Sequence, residues 1–439
     1  MAMDTEQDVT RRDFLKTAAV AAAVSALPTI GAPTILASPG RTPVRYGFIG
    51  TGSRGNELLT ALTTIPSGQC VATCDIYPVN LQKGVETIGG NPKTFVDYRE
   101  LLDRKDIEAV MIATPLNLHA KIVVDSLNAG KHVFVEKCMF FKEEEADPIR
   151  RAAAGHSQSV VQVGLQRRSS QLYRVAMEMI RKGALGNLTF FRAQWHRNSS
   201  WRRPVADPRL ERQINWRMYR EYSGGLMAEL ASHQIDVVNW ALGAEPIAVV
   251  GTGGINHWKD GRETNDNVQA IYEYPKGQKL LYSSILCNAH HDYSEQLMGD
   301  GGTLVITIGH GMYYREQVAK VSTVAAKENW WAGATVSKRA AEQGIEIFPD
   351  QNDQENGFID REMRYAKHWL ASLGIHDEEE PHDPNWSELC NFFASIQDGK
   401  PVAAPLEVGA SDALAVIYGN RAIDTGQKVL WPKIQAQVI

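Results

Sequence analysis

Charge of one sign is not in excess: 46 Lys and Arg stand against 51 Asp and Glu, a net of −5. With no basic run beyond the N-terminus and no basic–aromatic alternation, a nucleic-acid partner is not expected. Long apolar runs are lacking too. The uncharged core Thr17–Leu27 is 11 residues, against roughly 20 for a membrane-spanning helix, and no later stretch qualifies, so no span is expected. Cysteine is sparse. Cys70, Cys74, Cys138, Cys287 and Cys390 are odd in number, widely spaced and mostly set in strand-like apolar runs, which reads as core packing rather than a disulfide frame or a metal cluster. The pair in Asn288-Ala289-His290-His291 has no third ligand at suitable spacing, so no metal is expected. Internal repeats are missing as well.

What is present begins at the N-terminus. Thr10-Arg11-Arg12-Asp13-Phe14-Leu15-Lys16, the uncharged core and a loose Pro-Thr-Ala-Gly stretch to Gly40 resemble a twin-arginine export signal. Cleavage between Ala37 and Gly40 would release a mature chain beginning just before the first strand. Such a signal implies a periplasmic or secreted protein, exported already folded, so that a nucleotide loaded in the cytoplasm can travel inside. The expected division is 1–40 signal, 41–165 nucleotide-binding domain, 166–385 substrate and oligomerisation domain with an insertion at about 324–384, and 386–439 closing helices.

The most informative segment is 44–55, Val-Arg-Tyr-Gly-Phe-Ile-Gly-Thr-Gly-Ser-Arg-Gly. A short apolar strand runs into Gly50-x-Gly52-x-x-Gly55 and then a helix-forming stretch from Asn56 to Leu62. Gly50 permits the tight turn, Gly52 lets a pyrophosphate approach bare backbone, and Gly55 lets helix and strand pack closely, with the helix dipole facing the phosphates. Ser53 and Arg54 lie in the same turn. A second strand, Cys70–Cys74, ends at Asp75, where a carboxylate accepts hydrogen bonds from a free ribose 2′-hydroxyl and repels a 2′-phosphate. NAD is therefore expected, with Arg54 and Lys83 leaving NADP open.

Strands near 44–50, 70–74, 108–113, 132–135 and 160–163 alternate with helical patterns, the signature of a doubly wound parallel sheet. A helical pattern at 171–185 follows. Longer strands come near 188–195, 247–253, 267–274, 279–287, 295–299 and 302–308, with hairpin signals such as Pro275-Lys276-Gly277. The expected fold class is α/β: an N-terminal Rossmann domain plus a C-terminal α+β domain with a large, mostly antiparallel open sheet. Its uncovered face would favour a homodimer or homotetramer.

Four segments together carry a resemblance. Besides the glycine turn they are Ala113-Thr114-Pro115-Leu116-Asn117-Leu118-His119, Gly130-Lys131-His132-Val133-Phe134-Val135-Glu136-Lys137, and Gly224-Gly225 through Glu229 and His233 to Asp236. They resemble the Gfo/Idh/MocA (glucose-fructose oxidoreductase / inositol dehydrogenase) family over most of 44–315 and 386–431. The resemblance implies an NAD(P)-dependent sugar oxidoreductase with Thr114, Pro115, Asn117, His119, Glu136 and Lys137 around the cofactor. Lys137 would hold a substrate hydroxyl; the bland reading is a surface lysine paired to Glu136. His233 would take the hydroxyl proton, with Glu229 or Asp236 one turn away on the same helix face fixing its tautomer. The bland reading of His233 is a satisfied core histidine. Two departures stand out. Cys138 occupies the place of the family's proline after the lysine, and a cis bond before a non-proline residue costs about 3–4 kcal/mol, so a trans exit with Lys137 differently aimed enters the expectations. Glu229 and Ala231 replace an aspartate and a glycine.

Between the third and fourth segments lie Gln166-Arg167-Arg168, Tyr173, Trp195 through Asn198, Trp201, Arg202 and Arg203, and Asn215-Trp216-Arg217. Indole faces stack on sugar C–H faces while Arg, Asn and His supply donors to hydroxyls, so Gln166, Arg168, Tyr173, Trp195, Asn198, Trp201, Arg202, Trp216, Asp236 and His290 are the expected carbohydrate contacts. Trp and Arg equally suit a buried dimer interface. Three functions remain open at this point: a sugar oxidoreductase with tightly held cofactor, a redox-neutral NAD-dependent glycosidase working through a 3-keto intermediate, and a non-catalytic sugar-binding protein.

Overall fold

The computed structural model describes residues 41–316, 344–348, 370–375 and 383–432. The export signal lies outside them, as does most of 324–384.

The first sheet contains β1 (Val44–Ile49), β2 (Gly68–Cys74), β3 (Lys93–Phe95), β4 (Ala109–Ile112), β5 (His132–Glu136) and β6 (Val161–Gly164), in the order β3-β2-β1-β4-β5-β6. All its pairings are parallel. Chain order reverses between β1 and β4, which puts the ligand crevice at the carboxyl ends of those strands. The strands read as apolar runs because both faces are covered. Helices α1 (Ser53–Leu62), α2 (Pro78–Ile88), α3 (His119–Asn128) and α4 (Ala146–Gly155) make the crossovers. β3, three residues long, has too short a pattern to stand out in the sequence.

The second sheet has nine strands: β7 (Leu188–His196), β8 (Ala248–Gly254), β9 (Asn267–Glu273), β10 (Lys279–Ile285), β11 (Tyr293–Gly299), β12 (Gly302–Thr307), β13 (His310–Arg315), β14 (Ile345–Phe348) and β15 (Val429–Leu430). It is antiparallel except where β7 and β10 run parallel in the middle. Helices α5 (Gln171–Arg181) and α6 (Ser232–Leu242) pack on one face. On the other, Val250, Ile271 and Leu281 form an exposed row across β8, β9 and β10.

The closing helices are α7 (Pro384–Asp398) and α8 (Leu406–Thr425). α7 returns to the first sheet, where Phe393 meets Tyr46 at 5.6 Å between ring centroids and Phe392 meets Phe134 at 5.9 Å. α8 runs against β8 and α6, so its residues reach the space between the two sheets. All five cysteines are free thiols. Cys74, Cys138 and Cys390 are buried, but Cys287 is exposed, correcting the core-packing reading at that position.

Candidate active site

The glycine turn has the shape its spacing requires. Gly50 adopts φ +93°, and a Cβ there would lie 2.7 Å from the Ala113 carbonyl. A Cβ on Gly55 would lie 2.0 Å from Gly50 O, so the close passage of α1 over β1 admits glycine alone. At Gly52 the nearest atom to a Cβ is Asn80 Nδ2 at 3.8 Å, which leaves bare backbone facing open space. No side chain caps α1, and the first amides of a helix have no intrahelical acceptor, so they remain for an anion. Asp75 stands beside the turn: Oδ2 accepts from Thr51 N at 2.8 Å and Oδ1 from Tyr77 N at 2.8 Å. Burial raises its pKa from the usual value, against those hydrogen bonds. A dinucleotide fits this cradle.

Arg54 does not offer its side chain there. Its guanidinium donates to Glu136 (2.7 Å), Glu57 (3.2 Å) and Asn385 (2.8 Å), with Glu388 at 3.7 Å. This corrects the expectation for Arg54 and for the carboxylate of Glu136, which is buried with it; the basic and acidic residues are 82 positions apart in sequence and nothing local announces the pair.

Lys137 leaves the end of β5. The Lys137–Cys138 bond is cis, correcting the trans expectation. Tertiary contacts define this exit: the Cys138 carbonyl lies 2.8 Å from His119 Nδ1, and Cys138 is buried. His119 Nε2 lies 2.9 Å from Thr114 O, so the 113–119 segment and the lysine loop brace each other. Lys137 Nζ donates to the carbonyls of Ala228 (3.0 Å) and Glu229 (2.8 Å). Those carbonyls belong to Met227–Ala231, one π-helical turn joined to α6. A widened turn points its carbonyls away from the normal helical ladder, and such turns concentrate at functional sites.

The same turn changes the geometry around His233. Spacing of i, i+4 and i+7 predicts a shared face only for uniform α-helix. Instead Glu229 turns to Arg217 (2.7 Å), and Asp236 takes both Nε and Nη2 of Arg168 (2.8–3.0 Å). Neither carboxylate serves His233, whose Nδ1 is enclosed without a partner among the described residues. The expected carboxylate–histidine pair is thus corrected. His233 is 6% exposed; burial, then Arg167, Lys137 and Arg54, push its pKa well below the usual 6.5, so the ring is neutral near pH 7. For Glu229 burial acts upward, but Arg217 and Lys137 outweigh it and hold the carboxyl below its usual value.

The expected carbohydrate contacts divide. Arg168 and Asp236 are consumed by each other. Tyr173 is buried, its hydroxyl donating to Tyr293, which also receives Arg167 and donates to Glu295. Arg202 is held by Asp260 and Glu211. Trp195 lies 5.9 Å from the His233 ring, but Arg167 (5.2 Å), Arg197 (5.0 Å) and the edge of Tyr293 (5.0 Å) surround its indole. Four of these five thus have their polar groups engaged by protein partners, because the charges and rings that suit a sugar suit one another equally well, whereas the indole N–H of Trp195 has no partner among the described residues. His290 is exposed in the β10–β11 turn. That turn's carbonyls face Gln194, the neighbour of Trp195, and successive strand residues point to opposite faces, so His290 is not brought to the site. Asn198 is exposed and Trp201 half-buried; Trp216 stacks under Arg217 at 4.4 Å. Gln166 Oε1, Thr114 Oγ1 and Asn117 Oδ1 are buried without partners among the described residues. Arg167 and Arg217, which sit inside the Arg-rich runs quoted above but were not singled out there, also border this region, on Tyr293 and Glu229 respectively.

A cavity of about 370 Å³ lies elsewhere, between α8 and the segment 220–226. Its ionic groups already pair, Arg220 with Asp424 at 2.7 Å, and it does not reach Lys137 or His233.

Family comparison identifies the class. Residues 44–165 match the oxidoreductase family with NAD-binding Rossmann fold, residues 173–305 the GFO/IDH/MocA C-terminal domain, and residues 8–28 the twin-arginine translocation pathway signal sequence. The chain belongs to the Gfo/Idh/MocA family and carries its NAD-binding domain. Among particular relatives, glycosyl hydrolase family 109 protein 1 of Shewanella sp. strain ANA-3 is 29% identical over 48% of this chain and 50% of its own length. Inositol 2-dehydrogenase of Salmonella typhimurium strain LT2 is 28% identical over 45% of this chain and 54% of its own. The chain therefore spans about half the length of the curated relatives it matches. The structure of levoglucosan dehydrogenase in complex with NADH and levoglucosan has the same fold, at TM-score 0.67 and 20% identity, over 89% of this chain and all of that one.

Proposed function

We propose that the protein is an NAD-dependent oxidoreductase of a sugar or glycoside secondary alcohol, exported to the periplasm, with the cofactor held tightly across the glycine turn. The observation that carries this reading is the meeting of Lys137, from the end of the Rossmann sheet, with the helical segment that bears His233. Bound NAD⁺ would supply the hydride acceptor. The Lys137 ammonium spends two hydrogens on carbonyls and has a third for the substrate oxygen. His233 takes the hydroxyl proton at Nε2, the nitrogen not enclosed; burial and the nearby cations keep the ring neutral and so free to accept, while lowering its basicity, so the proton passes on as hydride leaves the carbon. Arg217 and Glu229 brace the turn on which both depend. The exposed apolar row of the second sheet supports self-association as a dimer or tetramer.

The test is to purify the protein, identify its nucleotide, and follow NADH absorbance as a panel of sugars is added. A sugar-dependent change supports the reading; a bound nucleotide that responds to no sugar overturns it in favour of a binding protein. A second reading is favoured by the family 109 relatives and the export signal: oxidation at C3 acidifies the C2 proton, its loss expels the aglycone from C1, water adds at C1, and hydride returns to C3. Aglycone release from aryl glycosides without an added acceptor would support it; no release would remove it.

A further inference from the structure

The segment between β7 and the π-helical turn crosses from the second sheet to the first, and Arg203 stands where it arrives. Its Nη2 lies 2.7 Å from Ser53 Oγ, on the glycine turn and 150 residues away in sequence. The backbone of Arg203 is clamped: its N–H donates to Asn215 Oδ1 at 2.8 Å, and Asn215 Nδ2 donates to its carbonyl at 3.1 Å. Asn215 is 2% exposed, so this clamp is part of the packed structure. On the N-terminal side, Trp201 holds φ 60°, a conformation that a bulky residue adopts only where its surroundings impose it. Arg262 donates to the Ser200 carbonyl at 2.7 Å and fixes that end.

The other arginines of this segment with pairing partners are neutralised. Arg202 meets Asp260 and Glu211, and Arg217 meets Glu229. Arg203 makes no ion pair with a carboxylate among the described residues. Partial burial and the nearby Arg217 weigh against its charge more than Glu57 supports it. A guanidinium without a carboxylate partner thus stands at the hydroxyl of Ser53, the first residue of α1, whose N-terminus has no side-chain cap among the described residues, and the chemistry common to both is an anion with several oxygens.

We propose that Arg203 is a cofactor-binding residue that clamps the dinucleotide pyrophosphate from the second domain, closing the 197–217 segment over the glycine turn. The inference rests on the NAD-binding fold and not on the sugar chemistry, so it survives if the substrate reading fails. It reassigns an arginine from a run expected to hold sugar hydroxyls, and it gives tight cofactor retention a physical cause: release requires the crossing segment to lift.

The experiment uses the full folded protein loaded with NADH. Dissociation is followed by the loss of NADH fluorescence in excess ADP, and ADP and adenosine are compared as competitors, for the wild type, Arg203→Ala and Arg203→Lys. A charge-assisted bond at an exposed position predicts about tenfold faster NADH release and about tenfold weaker ADP binding in Arg203→Ala, with Arg203→Lys intermediate. Adenosine, which lacks phosphate, should bind all three alike. Unchanged NADH release and ADP affinity in Arg203→Ala would overturn the proposal, leaving Arg203 as an interdomain latch to Ser53. Equal losses for ADP and adenosine would overturn it as well, by showing a general disturbance of the turn.

Discussion

The two sides of the cleft are built differently. On the Rossmann side the decisive features are backbone: a glycine with positive φ, two close approaches and a row of helix amides. On the other side they are side chains whose charges have been spent on one another, Arg168 on Asp236, Arg217 on Glu229, Arg202 on Asp260 and Glu211. A backbone-built site leaves its ligand atoms open by construction, whereas a side-chain-built site offers only what pairing leaves over. His233, an imidazole with no carboxylate, and the guanidinium of Arg203 are what is left over on that side, and Lys137 reaches across from the end of β5 with a hydrogen to give.

The largest expected effect separates Lys137 from the cradle. Lys137→Met should lower kcat by about 10³-fold or more while NADH stays bound, since the lysine acts on the substrate oxygen rather than on the nucleotide. Retained turnover in stopped-flow assays would place the orienting group elsewhere. Next in size is the paired side. Arg168→Ala leaves Asp236 buried without its partner and should cost about 3–5 kcal/mol of stability, read as a lower denaturation midpoint; a fall in sugar affinity with stability intact would instead restore Arg168 as a substrate contact.

The glycines sharpen the contrast within the backbone side. In Gly55→Ala the new Cβ would meet Gly50 O at 2.0 Å, so overpacking should cost about 1–3 kcal/mol and cofactor with it. Gly52→Ala has room, with nothing nearer than 3.8 Å; it should keep its melting temperature and lose NADH affinity, because the methyl occupies the phosphate approach. Equal destabilisation by both would refute the assignment of separate roles.

That contrast also explains what the sequence disclosed. Gly50, Gly52, Gly55 and Asp75 were legible because a turn and a close approach demand glycine at fixed spacing, and the alternation of strands and helices is a local pattern. Lys137 and His233 were legible through the family resemblance. The partners were not: Arg54 meets Glu136 across 82 residues and Arg168 meets Asp236 across 68, and no local signal states which arginine will be free. The π-helical turn at Met227–Ala231 was equally hidden, and by replacing a uniform helix it turned Glu229 away from His233.

Acid should expose the burial of His233. Its folded pKa lies well below 6.5, so as pH falls below about 6.5 the unfolded chain binds a proton that the native ring refuses. The stability associated with the neutral ring is full above that value and declines below it, by at most about 1.4 kcal/mol per pH unit for one such group. His233→Gln should show a shallower acid slope of melting temperature; identical slopes would mean that the ring titrates freely in the native protein.

The smallest effect tests the buried network behind the site. Tyr173 is 5% exposed and donates its hydroxyl to Tyr293, which passes on a hydrogen bond to Glu295 and receives Arg167. Burial raises the Glu295 pKa, while Arg167 and then the hydroxyls of Tyr293 and Tyr173 oppose it, so Tyr173 supplies one of several influences on that carboxyl. Tyr173→Phe keeps the ring and removes one hydrogen bond, which predicts a loss of about 1 kcal/mol in urea unfolding with the sugar KM unmoved. A raised KM at constant stability would return Tyr173 to the sugar-contact set and show that the second domain leaves more of its polar groups free than the pairing pattern implies.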